Sequence, residues 1–229
     1  MESSKYTLAQ VAKTIDAALL KPEMTIEEVI AGCDIAKKYH VASVCCRPAD
    51  VALCSEQLRG SDVLVGTVIG FPHGSSSAKT KAFETATALE DGAVEFDMVI
   101  NIGYMKSGMY DAVREEIASV VKAAKGHPVK VIFENAYLTN EEIVKACHLS
   151  EEAGAQYVKT STGFAPTGAK LEDVKLMKAS VSPAMKVKSA GGVKNLDMLL
   201  EFMDAGVARS GASATGPMLD EFVQRFGAN

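Results

Sequence analysis

Short apolar runs alternate with amphipathic helical stretches along almost the whole of this 229-residue chain. Six runs suit the strands of a buried parallel sheet, and two weaker candidates bracket them. The six are Val41–Cys46, Val63–Gly70, Val94–Ile100, Val129–Glu134, Tyr157–Ser161 and Met185–Ser189, and the weaker two are Thr14–Ala18 and Val207–Gly211. The units recur every ~22 to 36 residues, and eight of them in about 230 residues predict an α/β fold of the (β/α)8 TIM barrel type.

Signals for helix ends recur between these runs. Thr25-Ile26-Glu27-Glu28 and Thr139-Asn140-Glu141-Glu142 are capping boxes, which begin helices. Gly92, Gly154 and Gly206 each come just before an apolar run, where glycine suits a left-handed helix cap. An open doubly wound sheet ranks second, because no G-x-G-x-x-G sequence follows the first strand. No linker or low-complexity tract divides the chain, so residues 1–229 are predicted to form one domain.

The composition narrows the classes of function. The formal net charge is -5 and no run of lysine or arginine occurs, so neither nucleic acid nor an anionic membrane surface is an expected partner. No apolar stretch is long enough for an N-terminal signal peptide or a membrane span, and a cytoplasmic location is expected. The five cysteines include no C-x-x-C pair and the histidines are scattered, so free thiols are expected and a metal site is not.

Two lysines stand near the ends of predicted strands, and each is followed by glycine within a few residues. Lys159 lies in Val158-Lys159-Thr160-Ser161-Thr162-Gly163, and Lys188 lies in Lys186-Val187-Lys188-Ser189-Ala190-Gly191. Apolar neighbours desolvate an amine, and a second ammonium nearby also favours its neutral form. A neutral lysine can condense with a carbonyl group to give a Schiff base. Barrel active sites lie at the C-terminal ends of the strands, so we expect both lysines there.

Two aspartates lie within the predicted strands as well. Asp97 interrupts the apolar run Glu95-Phe96-Asp97-Met98, and Asp16 lies in the first of the weaker candidates. A carboxylate inside an apolar strand is costly unless it pairs with a cation or takes part in catalysis. Lysines at the same end of a barrel are natural partners, so both aspartates are candidate catalytic groups. A purely structural aspartate–lysine bridge is the alternative.

Glycine-rich turns follow the last two predicted strands. Gly191-Gly192 comes after the seventh, and Gly211-Ala212-Ser213 comes at the end of the eighth. Backbone N–H groups freed by glycine, a serine hydroxyl and helix N-termini bind phosphate well. Barrels often bind phosphate at these two loops, so the turns predict a phosphate site, although Gly-Gly is also common in turns without function.

Taken together, these motifs resemble those of the deoxyribose-phosphate aldolases, a family of class I aldolases, over nearly the whole chain. The segments that carry the resemblance are Thr14-Ile15-Asp16, Leu19-Leu20-Lys21-Pro22, Gly70-Phe71-Pro72-His73-Gly74, Glu95-Phe96-Asp97-Met98-Val99-Ile100-Asn101, Val158-Lys159-Thr160-Ser161-Thr162-Gly163, Lys188-Ser189-Ala190-Gly191-Gly192-Val193 and Gly211-Ala212-Ser213. The motifs around the two lysines are specific as a pair, and neither would suffice alone.

The resemblance implies a role for each candidate residue. Lys159 would form the Schiff base, Lys188 would hold it neutral as a nearby ammonium, and Asp97 and Asp16 would relay protons. The phosphate would be surrounded by Gly163, Gly191, Gly192, Gly211 and Ser213. The reaction would be the reversible cleavage of 2-deoxy-D-ribose 5-phosphate into D-glyceraldehyde 3-phosphate and acetaldehyde, without a metal or an organic cofactor. A homodimer or a homotetramer is compatible with the resemblance.

Three departures from the family pattern stand out. Ala17-Ala18 follows Asp16, where the family usually has a hydroxyl residue two positions on; Asn135 follows Glu134, where it usually has threonine; and the chain stops at Asn229 without the terminal tyrosine of some members. Two rival functions also stay open. One is a related Schiff-base aldolase for a different phosphorylated sugar, and the other is a non-catalytic barrel that binds sugar phosphates.

Overall fold

Eight parallel strands close a barrel in the computed structural model, which describes residues 4–228. The strands are β1 (Ile15–Leu19), β2 (Ser43–Cys46), β3 (Leu64–Ile69), β4 (Glu95–Val99), β5 (Val129–Ile132), β6 (Tyr157–Lys159), β7 (Lys186–Ser189) and β8 (Arg209–Ala212). Each strand pairs with its neighbour in chain order, and β8 closes the barrel against β1 with Gly211 opposite Asp16. The predicted (β/α)8 barrel is confirmed, and both of the weaker candidates form strands.

Helices surround the barrel and occupy most of the chain between its strands. They are α1 (Leu8–Ala12), α2 (Ile26–Tyr39), α3 (Val51–Gln57), α4 (Ala78–Glu90), α5 (Ile102–Lys106), α6 (Tyr110–Ala123), α7 (Asn140–Glu152), α8 (Leu171–Ala179), α9 (Leu196–Asp204) and α10 (Thr215–Phe226). Thr25 and Thr139 form the predicted capping boxes at the starts of α2 and α7. Across residues 4–228, none of these helices has both the length and the apolar character needed to cross a bilayer.

The two faces of the strands carry different chemistry. On β4, Phe96 and Met98 belong to the apolar core between the sheet and the helices. Glu95 and Asp97 alternate with them, and both contact Lys130 of β5 inside the barrel. Because successive side chains of a strand point to opposite faces, this alternation separates an apolar outer layer from a charged interior.

Two strands, β5 and β6, end two residues before the apolar runs that predict them. The run Val129–Glu134 forms a strand only as far as Ile132, because Glu134 adopts the left-handed conformation at φ +57°. The run Tyr157–Ser161 ends as a strand at Lys159, which is therefore the last residue of β6. The turn at Glu134 brings its carboxylate to the backbone N–H of Thr162, in the loop after β6. Asn229, and with it the expectation about a terminal tyrosine, lies outside the described residues.

Candidate active site

Seven charged side chains lie inside the barrel in the described part of the chain. They are Asp16 of β1, Glu95 and Asp97 of β4, Lys130 of β5, Lys159 of β6, Lys188 of β7 and Arg209 of β8. Six of these side chains are at most 3% exposed, and that of Arg209 is 12% exposed. Burial of so many charges is costly unless each is paired, and clusters of this kind mark candidate functional sites.

The four predicted catalytic residues meet inside the barrel, with Lys159 at the C-terminal end of its strand. Lys159 Nζ donates to Asp97 Oδ2 at 2.6 Å, and Lys188 Nζ donates to the same oxygen at 2.7 Å. Lys188 Nζ also donates to Asp16 Oδ2. One carboxylate oxygen thus holds both amines together, and Lys188 bridges the two aspartates.

Three further charged residues lie in the same network and were missed by the sequence analysis. Lys130 Nζ donates to Asp16 Oδ2 at 2.8 Å and to Glu95 Oε2 at 2.7 Å. Arg209 donates to Glu95 Oε1 at 2.7 Å and, through its other nitrogen, to Asp16 Oδ1. Lys130 carried the same signal as Asp97, since it interrupts an apolar strand. Arg209 had no such signal, because its strand is short and weakly apolar.

The contacts indicate which cation of the network is the easiest to deprotonate. Four cations share three carboxylates when all seven groups are ionised. Among the described residues, Lys159 pairs with one carboxylate only, whereas Lys130, Lys188 and Arg209 each pair with at least two. The excess charge is therefore relieved at least cost when Lys159 loses its proton.

The pKa directions agree with this contact pattern. Burial lowers the pKa of Lys159 below its ordinary value, and the Lys188 ammonium adds to the effect against the opposing charge of Asp97. For Lys188, burial again disfavours the ammonium, but the carboxylates of Asp16 and Asp97 outweigh it and raise its pKa. Burial opposes ionisation of Asp97, but the ammonium groups of its lysine partners outweigh burial and hold the pKa of this carboxyl below its ordinary value. The arrangement thus places an amine of lowered pKa, that of Lys159, beside an amine of raised pKa, that of Lys188.

Two other titratable groups face Lys159. Burial raises the pKa of the Cys45 thiol to about 11, and the charge of Asp97 acts in the same direction, so this side chain stays a thiol near neutral pH. Burial also raises the pKa of Glu134, which interacts electrostatically with Lys159. Glu134 accepts hydrogen bonds from the backbone N–H and the hydroxyl of Thr162. This contact anchors the loop that follows the nucleophile candidate.

A cavity of about 560 Å³ opens at this end of the barrel. All five predicted phosphate residues line it, namely Gly163, Gly191, Gly192, Gly211 and Ser213. Gly191 and Gly192 have φ values of +82° and +76°, in the left-handed region that glycine adopts without strain. A Cβ atom at Gly211 would lie 3.7 Å from Lys188 Cε, so this residue of the cavity wall adjoins the charged network, none of whose seven residues lines the cavity itself.

The cavity has two cationic side chains that the sequence analysis did not assign. Lys21 follows β1 and Lys194 follows the Gly191-Gly192 turn, and both line the cavity. Ala18 also lines it, so the place where the family usually has a hydroxyl presents a methyl group here. Asn135, the second departure, is buried beside the site and donates from Nδ2 to Met177 Sδ at 3.5 Å. It is not among the residues of this cavity.

Known proteins resemble this chain in sequence and in structure. The sequence profile of the DeoC/LacD family aldolases matches residues 7–220. A deoxyribose-phosphate aldolase 2 of Staphylococcus aureus (strain COL) is 55% identical over 203 residues, which are 89% of this chain and 92% of the relative. The structure of QR15, an aldolase, superposes with a TM-score of 0.90 at 39% identity and covers 94% of this chain and 96% of its own.

A third relative extends the structural likeness. Deoxyribose phosphate aldolase from Aeropyrum pernix, whose structure is described as tetrameric, has a TM-score of 0.88 at 31% identity. The match covers 94% of this chain and 92% of that protein. The matched region contains all the charged residues of the barrel network. This chain therefore belongs to the DeoC/LacD family of aldolases.

Proposed function

We propose that this chain is a deoxyribose-phosphate aldolase that reversibly cleaves 2-deoxy-D-ribose 5-phosphate into D-glyceraldehyde 3-phosphate and acetaldehyde. The observation that carries the proposal is a buried lysine, Lys159, with one carboxylate partner in a network that holds one more cation than anion. Such an amine can attack a carbonyl at neutral pH. The activity named for the relatives supports the same choice.

In the proposed mechanism, Lys159 Nζ attacks the C1 aldehyde of the open-chain sugar. The carbonyl oxygen leaves as water and an iminium ion forms. A carboxylate relay from Asp97, through a bound water and with help from Asp16, takes the proton of the C3 hydroxyl. The C2–C3 bond then breaks, its electron pair moves into the iminium, and C3 becomes the aldehyde of glyceraldehyde 3-phosphate. Protonation of the resulting enamine at C2 and hydrolysis release acetaldehyde and restore Lys159.

The iminium ion is itself the electron sink of this reaction. No step of the proposed mechanism calls for a metal or an organic cofactor, because the iminium accepts the electron pair of the broken bond. Lys188 keeps its proton and acts on Lys159 through charge. The proposal thus gives the two lysines different roles, which follow from their different numbers of carboxylate partners.

The phosphate group is proposed to occupy the cavity at the glycine turns. The N–H groups of Gly191 and Gly192 and the hydroxyl of Ser213 supply neutral donors, and Gly163 and Gly211 leave room for the anion. Lys21 and Lys194, which line the same cavity, add positive charge. This set selects a phosphorylated sugar over a neutral one.

Ser213→Asp is expected to raise KM for 2-deoxy-D-ribose 5-phosphate by on the order of 10- to 100-fold, because a carboxylate would face the phosphate in a partly desolvated cavity. The matched control is Ser213→Asn, which has nearly the same shape without the charge. Activity on unphosphorylated 2-deoxyribose should change little in either variant. An equal loss on both sugars would remove Ser213 from the phosphate site.

Lys188→Met is expected to move the rising limb of the pH–rate profile upward by about one pH unit, since Lys159 would no longer face a neighbouring ammonium. At neutral pH, imine formation with acetaldehyde should slow accordingly, while affinity for inorganic phosphate stays nearly the same. Lys186→Met is the control, because Lys186 lies two residues away on β7 but is exposed. An unmoved limb with a normal rate would assign Lys188 a structural role only.

A substrate panel tests the proposed function directly. The purified chain should cleave 2-deoxy-D-ribose 5-phosphate faster than other phosphorylated sugars, with acetaldehyde and glyceraldehyde 3-phosphate released in equal amounts. Preference for another sugar phosphate would indicate a related Schiff-base aldolase. Binding of sugar phosphate without any cleavage would indicate a non-catalytic binding barrel.

The proposal also covers the setting of the enzyme. We propose that residues 1–229 act as one catalytic domain in the cytoplasm, where the free cysteines of the described structure would stay reduced. Its partners are the phosphorylated sugar and the aldehydes rather than nucleic acid or membrane. A homodimer or homotetramer is proposed from the tetrameric relative and from exposed apolar side chains such as Phe83, which is 74% exposed. Sedimentation of the purified chain measures this state.

A further inference from the structure

Arg209 and Glu95 lie at the opposite end of the barrel interior from the nucleophile candidate. They are the first residues of β8 and β4, whereas Lys159 is the last residue of β6. Neither of them lines the cavity at the glycine turns. The mechanism proposed above does not use them. Arg209 nevertheless forms a bidentate ion pair with Glu95 and also donates to Asp16.

We infer that Arg209 and Glu95 are positioning residues that set the charge state of Lys159 through the buried network, with Arg209 supplying the cation that forces a proton off this lysine. The inference rests on the proposed function, in which Lys159 must be neutral to attack a carbonyl. Four contacts connect the two ends. Arg209 pairs with Asp16, Asp16 with Lys188, Lys188 with Asp97, and Asp97 with Lys159.

A second connection runs through Lys130. Its Nζ is within ion-pair distance of Glu95 at 2.7 Å, of Asp16 at 2.8 Å and of Asp97 at 3.3 Å. Arg209 and Lys130 therefore share Asp16 and Glu95 as partners. Their positive charges offset carboxylate charge that would otherwise stabilise the protonated amines of Lys159 and Lys188. Charges in such a water-poor interior act over several side chains, because little solvent screens them.

The balance of charge predicts opposite effects for two substitutions. Arg209→Met leaves three cations with three carboxylates, so Lys159 can keep its proton to higher pH. Glu95→Gln leaves four cations with two carboxylates, so Lys159 should lose its proton at lower pH. The double variant again holds one cation in excess and should resemble the unchanged protein. A bridge that only stabilised the barrel would not give shifts of opposite sign that cancel.

Other titratable groups around the two ends stay the same in these variants. Those that face Lys159 are Asp97 of β4, Lys188 of β7, Cys45 of β2 and Glu134 after β5. Those that face Arg209 besides Glu95 are Asp16 of β1, Lys130 of β5 and Tyr157 of β6. Because these partners remain in place, a shift of the titration reports the change of charge at 209 or 95.

The experiment measures the rate at which acetaldehyde is captured on Lys159 by cyanoborohydride across a range of pH. Arg209→Met should move the rising limb up by about one pH unit, and Glu95→Gln should move it down by about one unit. The double variant Arg209→Met/Glu95→Gln and the charge-conserving Arg209→Lys should keep the limb close to that of the unchanged protein. Peptide mapping identifies the modified lysine in each case.

Two outcomes overturn the inference. If the unchanged protein captures acetaldehyde and the limb stays in place in every folded variant, the Arg209–Glu95 pair is only structural and the proposed function stands. If the unchanged protein captures nothing at any pH, the proposed function fails and the inference falls with it. If Arg209→Met does not fold, Glu95→Gln is compared with the double variant, because these two proteins differ by the same loss of the Arg209 charge. The rising limb must then lie at higher pH in the double variant than in Glu95→Gln.

Discussion

Lys159→Arg is expected to abolish cleavage of 2-deoxy-D-ribose 5-phosphate, with a loss of roughly 10⁴-fold or more in kcat. The guanidinium keeps its proton at every accessible pH and cannot form an imine. Asp97 keeps its ion-pair partners Lys130 and Lys188 in this variant. Loss of activity should therefore come with an intact fold, which far-ultraviolet circular dichroism and the melting temperature can check.

The matched control for this substitution is Lys186→Arg. Lys186 begins β7, is exposed, and lies over the ring of Tyr157 rather than at the cavity. It should retain nearly full activity, because arginine can also stack on an aromatic ring. Turnover of Lys159→Arg within tenfold of the unchanged protein would remove Lys159 from the mechanism.

Asp97→Asn is expected to separate imine formation from bond cleavage. Removal of a carboxylate leaves four cations with two anions, so Lys159 should remain neutral and still capture acetaldehyde. The relay that moves the proton of the C3 hydroxyl would be lost, and general acid–base catalysis of this kind contributes ~10² to 10⁴-fold. We therefore expect kcat for cleavage to fall by about that factor while trapping with cyanoborohydride continues.

The comparison of trapping with cleavage requires that Asp97→Asn be folded. The substitution puts the fold at risk, because Asp97 is fully buried and pairs with Lys159, Lys188 and Lys130. Breaking a buried ion network commonly costs ~3–5 kcal/mol, so the assay belongs well below the melting temperature of the variant. Asp97→Glu, which keeps the charge, serves as the second variant. If Asp97→Asn lost trapping and cleavage in equal proportion, Asp97 would act on Lys159 itself rather than in a proton relay.

The barrel was predictable because its strands are short, apolar and regularly spaced. Even the weak runs around Asp16 and Arg209 form strands, since closure of the barrel supplies partners on both sides that local sequence does not reveal. The ends of strands were less predictable. Glu134 and Ser161 end apolar runs, yet β5 and β6 stop two residues before them. After β5, Glu134 takes a left-handed conformation, which a run of apolar residues does not indicate.

The candidate site was predictable in part for a similar reason. Lys159, Lys188 and Asp97 stand out because charge inside an apolar strand is unusual, and the fold brings both amines within 2.7 Å of Asp97 Oδ2. The count of charges could not be predicted, because it depends on which face of each strand points inward and on the partners of Lys130 and Arg209 across the barrel. The place of Lys21 and Lys194 in the cavity wall could not be predicted either, because both lie in loops whose paths are defined only by the folded chain.

The contact pattern also gives a reason for the different roles proposed for these two neighbouring lysines. Lys188 lies between two carboxylates and keeps its proton, whereas Lys159 has a single carboxylate partner and feels the charge of Lys188. Proximity alone would not distinguish them. The difference follows from position. Lys159 is the last residue of β6 and pairs with Asp97, whereas Lys188 pairs with both Asp97 and Asp16.

Mass spectrometry of the protein reduced with borohydride in the presence of acetaldehyde tests the central claim most directly. Peptide mapping of the product locates the modified amine without any assumption about turnover. We predict a single ethyl adduct on Lys159 and an unmodified Lys188. An adduct on Lys188 instead, or a protein that stays unmodified at neutral pH, would contradict the assignment of Lys159 as the neutral nucleophile.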